Sequence, residues 1–173
     1  MTKSNAQRHG LVLWDEIFEE TAAGFPEVTT DRILVDAATT RMVLHPQTLD
    51  VMVATNLHAD ILSDLAASLA GSLGMGATAN LNPERKFPSM FEPIHGSAFD
   101  IMGQGIANPL GTFWSAVLML EHLGETDAAA RLMAAIESVT AHGAVLPRDL
   151  GGQATTREVT DAVCAAIDEG DRR

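Results

Sequence analysis

A chain of 173 residues holds one ordinary domain or parts of two, and 46% hydrophobic against 20% charged residues is the profile of a soluble globular protein. No apolar run approaches the roughly 18 residues of a membrane span, and Met1–Gly10 lacks the apolar segment of a secretory leader, so neither is expected. A net charge of −12, from 11 basic and 23 acidic residues, argues against a nucleic-acid partner, and a lone cysteine, Cys164, forms no internal disulfide, which fits a reducing cytoplasm.

Asn5 is placed to cap a helix over Ala6–Ala23, with Leu11, Trp14, Ile17 and Phe18 at helical spacing toward a core. Val28–Val35 reads as a strand because of its β-branched residues, and Ala37–Leu44 as a helix that stops before Pro46. Asp50–Thr55 (DVMVAT) reads as a short buried strand and Leu57–Leu69 as a strong helix with Ile61, Leu62, Leu65 and Leu69 apolar. Gly71, Gly74 and Gly76 precede a strand near Ala77–Asn80, a polar loop (NPERKFPS) and an extended Met90–Ile94. Ser97–Gly103 is predicted as a short capped helix, Pro109 opens a helix to His122, and Asp127–Ala141 is an alanine-rich helix. Thr155-x-x-Glu158 is a capping box for a last helix over Arg157–Asp168, on which Cys164 reads as a small buried hydrophobe. Strands alternating with helices give the class α/β, without repeats or low-complexity segments.

Asp60 and Asp64 stand four apart on one helix face, where two like charges cost about 0.2–0.5 kcal/mol unless something positive lies between them. A divalent cation would serve, and hard oxygen ligands favour Mg²⁺ or Mn²⁺ over zinc. Two solvated surface acids explain the same spacing. Asp36, after the apolar ILV and at the start of a helix, is either a third ligand or an N-cap.

The stretches VDAATT, DVMVATNLHADILSDLAASLAGSLG and FEPIHGSAFDIMGQGIANP resemble the β-decarboxylating dehydrogenases, the isocitrate/isopropylmalate dehydrogenase family that also holds the tartrate/D-malate enzymes. The resemblance runs from about Thr2 to Ala166 and implies an α/β isopropylmalate dehydrogenase-like fold, incomplete because the N-terminal half is absent. Residues 1–70 would then be part of the central dimerisation and catalytic domain, and 71–173 the C-terminal part of the nucleotide-binding domain. It implies that Asp60 and Asp64 bind the metal, that Asp36 completes the site from the partner subunit, and that Lys3, also given across the dimer, transfers a proton. Asn5 would lie near the nicotinamide and Glu92 at the edge of the nicotinamide–ribose region.

The loop HGSAFDIMGQGIANP resembles the family's adenosine pocket, with cofactor-binding positions at His95, Gly96, Ser97, Ala98, Asp100 and Asn108. Gly96 allows close backbone approach and Ser97 can cap a short helix. A carboxylate at Asp100 accepts hydrogen bonds from ribose hydroxyls and repels a 2′-phosphate, which favours NAD over NADP. Ser97-x-x-Asp100 is equally a local capping arrangement, and His95 can satisfy a backbone group. Phe99 stands where most relatives carry proline, and His58 and Ala59 where they carry an aromatic or aliphatic residue and a glycine. With ATANLNPERKFPSMFEP, these departures resemble the tartrate/D-malate branch; His58 itself reads as a surface residue.

The implied reaction is NAD-dependent oxidation of a 2-hydroxy dicarboxylic acid followed by loss of CO₂, in a homodimer with shared active sites. The family's chains are longer and carry substrate-clamping arginines and a catalytic tyrosine ahead of this region, whereas this sequence has no tyrosine. A truncated product, a split subunit needing a separate N-terminal chain, or a misplaced start is therefore expected. The alternatives are a non-catalytic fragment that retains dimerisation and partial metal or NAD binding, and 3-isopropylmalate dehydrogenase activity.

Overall fold

The fold is that of a computed structural model, which describes residues 1–170; the end of the 71–173 range lies outside the described residues. The chain forms two compact units, Met1–Ala66 and a second beginning at Ala67.

The first unit is built on α1 (Leu11–Ala22), α2 (Val35–Leu44) and most of α3 (Asn56–Ala70). The capped helix from Ala6 is not formed. Residues 3–10 make turns in which Lys3 O accepts from both Ala6 N and Gln7 N, and α1 starts after Gly10 with no side-chain cap. Leu11 is buried, Trp14 and Phe18 are half-buried, and Ile17 is exposed, so only part of the expected apolar stripe is covered.

Neither predicted strand of this unit forms. A strand exists only where a neighbour takes its backbone hydrogen bonds, and Val28–Val35 meets only Thr2. Thr2 N donates to Ile33 O at 3.1 Å and Val35 N to Thr2 O at 2.8 Å, an isolated parallel bridge. Asp50–Thr55 joins no sheet, and Val51 is 86% exposed rather than buried. The helices were legible: α2 and α3 lie within two residues of their expected bounds. His58, expected at the surface, is buried at 7% exposure, and its Nδ1 lies 3.3 Å from Thr55 Oγ1.

The second unit holds the contiguous core. Strands β1 (Ala77–Asn80) and β2 (Met90–Pro93) pair antiparallel from Ala77↔Pro93 to Asn80↔Met90. Helices α4 (Leu110–Leu123), α5 (Thr126–His142) and α6 (Thr156–Gly170) bury Leu110 and Val117, Ala135 and Ile136, and Val159 and Val163 against one another. Each fully buried Val or Leu contributes about 1.5–3 kcal/mol. Helix α4 ends at Gly124 with φ +88°, the left-handed cap that reverses the chain into α5. The capping box of α6 is present: Thr155 N donates to Glu158 Oε2 at 2.8 Å, and Glu158 N to Thr155 Oγ1 at 3.2 Å. Cys164 faces solvent, a correction to its expected burial, because Val159 and Val163 occupy the inward face of α6.

Candidate active site

Lys3 and Asp36 meet in the first unit. Lys3 Nζ donates to Asp36 Oδ2 at 2.6 Å, and Asp36 Oδ1 accepts Ala37 N at 3.1 Å. Leu34 is the N-cap of α2, without a side-chain bond, so Asp36 is not the cap but an acid in the first turn, where the helix dipole favours its charge. The Lys3 hydrogen bond holds the Asp36 carboxyl below its ordinary pKa, helped by Ala37 N. Asn5 is exposed in the turn that follows Lys3.

Asp60 and Asp64 lie one turn apart on α3, both exposed. Their donor chemistry, adjacent hard oxygens carrying like charge, fits Mg²⁺ or Mn²⁺. Asp36 is not gathered with them in one chain: among the described residues no three His, Cys, Asp or Glu side chains form a metal-sized cluster.

In the second unit a cleft of about 760 Å³ is lined by His95, Gly96, Ser97, Ala98 and Asn108, together with Leu73, Gly74, Ile106, Arg148 and Asp149. The size and the mix of apolar walls with a few polar groups suit a nucleoside. Ser97–Gly103 is not the expected short helix but a chain of turns, with Ile101 N donating to Ala98 O and Gln104 N to Ile101 O. Ala98 sits at φ +43°, in the left-handed region that non-glycine residues rarely adopt, and this breaks any helical path. Ser97 is therefore not a helix cap. His95 Nδ1 lies 3.1 Å from Gly96 O. Glu92 on β2 and Asp100 in the turns are exposed and do not line the cleft. The space around a side chain at Gly96 is open, so close packing does not require glycine there.

Asn108 is held from two sides. Its Oδ1 accepts Leu110 N at 2.9 Å, opening α4, and its Nδ2 donates to Asp149 Oδ2 at 2.8 Å. Asp149 also accepts the Ser72 hydroxyl. Asp149 was missed in the sequence because it belongs to no motif, and Ser72, although inside the stretch that ends at Gly74, because its partner lies 77 residues away. The only local signal is the glycine pattern: a side chain at Gly74 would meet Asn108 Cβ at 2.9 Å.

The family model for isocitrate/isopropylmalate dehydrogenases matches residues 1–163. A probable tartrate dehydrogenase/decarboxylase of Agrobacterium vitis is 70% identical over 167 residues, covering 96% of this chain and 46% of that protein. The decarboxylating D-malate dehydrogenase of Escherichia coli is 47% identical, covering 96% and 47%. The crystal structure of isocitrate dehydrogenase from Methylococcus capsulatus superposes with a TM-score of 0.90 at 40% identity, covering 96% of this chain and 49% of that one. The chain thus spans about half the length of these relatives. On this match, which takes in the Lys3–Asp36 pair, the α3 aspartates and the whole cleft loop, the chain belongs to the isocitrate/isopropylmalate dehydrogenase family.

Proposed function

We propose that the chain supplies the proton-transfer lysine, the metal carboxylates and the adenosine pocket of an NAD- and divalent-metal-dependent enzyme that oxidatively decarboxylates a 2-hydroxy dicarboxylic acid of the D-malate or tartrate type. The observation that carries this reading is the 2.6 Å contact of Lys3 Nζ with Asp36 Oδ2, two chemistry-bearing residues 33 positions apart. The names of the relatives support the substrate class.

Asp60 and Asp64 would hold the cation, joined by Asp36 of a second copy; the cleft from His95 to Asn108 would hold the adenosine half of NAD, with Asn5 and Glu92 toward the nicotinamide. When bound, NAD accepts a hydride and the cation stabilises negative charge on substrate oxygens. Lys3 Nζ would be the group that accepts the proton of the 2-hydroxyl. The bond to the β-carboxylate then breaks, and D-malate yields pyruvate, CO₂ and NADH. Asp36 keeps the Lys3 side chain directed. Asp100, exposed in the turns of the same loop, would disfavour a 2′-phosphate by charge. We place the reaction in the cytoplasm, in a homodimer whose copies exchange Lys3 and Asp36.

The test is NADH formation from D-malate, L-tartrate and 3-isopropylmalate with Mn²⁺, by the chain alone and by the chain completed with the remaining segment of the Agrobacterium vitis relative. Turnover of D-malate or tartrate, lost by at least about 100-fold in Lys3→Ala, supports the reading. A completed enzyme that oxidises none of the three, or is indifferent to Lys3, contradicts it. A non-catalytic chain is the second reading, motivated by the 46% and 47% of its relatives' length that the chain covers. It predicts Mn²⁺ and NAD binding without turnover under every one of these conditions.

A further inference from the structure

Asp15 is a carboxylate that the proposed chemistry leaves without a task, yet it is buried in α1 at 8% exposure. Its Oδ2 accepts the Ser4 hydroxyl at 2.6 Å and lies 3.5 Å from Arg32 Nη1. Ser4 N in turn donates to Thr2 Oγ1 at 3.2 Å. Thr2 is 1% exposed, and its backbone is fixed between Ile33 O and Val35 N. Lys3 is the residue between these two anchors. Its side chain has a long flexible stem, and a lysine on a free segment would sample many positions. Here the backbone on either side is tied down: by the Leu34 bridge before it and by the Ser4–Asp15 bond after it.

We propose that Asp15, acting through the Ser4 hydroxyl, is a positioning residue for Lys3. It sets the direction in which Lys3 leaves the backbone and so keeps Nζ on Asp36 at the head of α2. A charge-assisted O–H···O⁻ bond of this length is among the stronger tethers a side chain can provide, and it acts one residue from the group it aims. The inference rests on the reading of Lys3 as the proton-transfer group. It extends that reading to α1, which touches none of the reacting atoms in that scheme. Misplacement of a reacting group by an ångström lowers turnover by about 100-fold, so a tether of this kind belongs to the rate and not to the affinity for NAD.

The chain has only two lysines, Lys3 and Lys86, which makes a direct test practical. Reductive methylation with ¹³C-formaldehyde labels both lysines and the Met1 amine; the signals lost in Lys3→Arg are those of Lys3, and the exposed Lys86 serves as the internal reference. Lys3 is expected to give two resolved methyl signals, as a fixed ammonium in asymmetric surroundings does, and Lys86 one. In Ser4→Ala and in Asp15→Asn the Lys3 signals merge and move toward that of Lys86, while Ser4→Thr, which keeps the hydroxyl, retains the splitting. In the completed enzyme Ser4→Ala and Asp15→Asn lower kcat by about 10- to 100-fold and leave KM for NAD unchanged, with Ser4→Thr restoring kcat. Unchanged Lys3 signals in Ser4→Ala overturn the proposal, even if Asp15→Asn fails to fold. Undiminished turnover in Lys3→Ala overturns the proton-transfer reading instead, and the methyl signals still decide whether Asp15 positions the side chain.

Discussion

Lys3 is half-buried but its partner Asp36 is open to water, which screens the pair and leaves it little weight in stability. Asp36→Asn is therefore expected to leave the urea midpoint of the chain nearly unchanged while lowering turnover in the completed enzyme, which separates chemistry from folding. Asp15 behaves differently. Burial pushes its carboxyl up, but hydrogen bonds from Ser4 and Thr2, with the charge of Arg32, outweigh this and set it below its ordinary pKa. A carboxyl lowered on folding adds stability that is fully present above its unfolded pKa of about 3.9. That stability is lost as the pH falls through the lower folded value. Asp15→Ala should destabilise the chain at pH 7 by about 1 kcal/mol or more, since the Ser4 hydroxyl loses its acceptor. The gap between wild type and variant should narrow in urea titrations carried below pH 4, and a gap independent of pH would contradict the assignment. At the same scale, Asp149→Ala removes the acceptor shared by Ser72 and Asn108. It should weaken NAD binding by about tenfold, the effect of losing one or two hydrogen-bond constraints, as followed by saturation-transfer NMR on the isolated chain.

The long helices were legible in the sequence because their signals are local, though the start at Ala6 and the short helix over Ser97–Gly103 did not form. The capping box at Thr155–Glu158, the proline before Leu110 and the left-handed glycines after α4 and α5 each act within a few residues. Strands were legible in part: Ala77–Asn80 and Met90–Ile94 were expected and form β1 and β2, while two others failed because a strand needs a partner that the local sequence does not name. Val28–Val35 and Asp50–Thr55 have strand composition and form no sheet, whereas β1 and β2 do form one because each is the other's neighbour. The cleft shows the same division. His95, Ser97 and Asn108 were readable in one motif, while Asp149 enters from a turn, Arg148–Leu150, whose only mark was its approach to Gly74. Two element-scale predictions follow from the packing. Thr155→Ala removes one side of the capping box and should cost about 1 kcal/mol in urea denaturation. Gly111→Ala places a methyl 2.7 Å from Gly74 O, where the start of α4 lies against the turn that walls the cleft. Backbone on both sides cannot yield cheaply, so a loss of about 1–3 kcal/mol and a lower Tm are expected.

Across the molecule, the second unit is organised around a contiguous core, while the first leaves Val51, Leu57, Ile61 and Leu44 more than half exposed. Exposed apolar residues of this kind are what the proposed exchange of Lys3 and Asp36 between copies would cover. None of the helices among the described residues is long and apolar enough to cross a membrane. The most direct measurement of the central claim is the NADH yield of the completed enzyme with D-malate or tartrate and Mn²⁺, read together with CO₂ release. One CO₂ per NADH, with both lost in Lys3→Ala and in Asp60→Asn, is the predicted result. NADH formed without CO₂, or turnover that survives both substitutions, would contradict it.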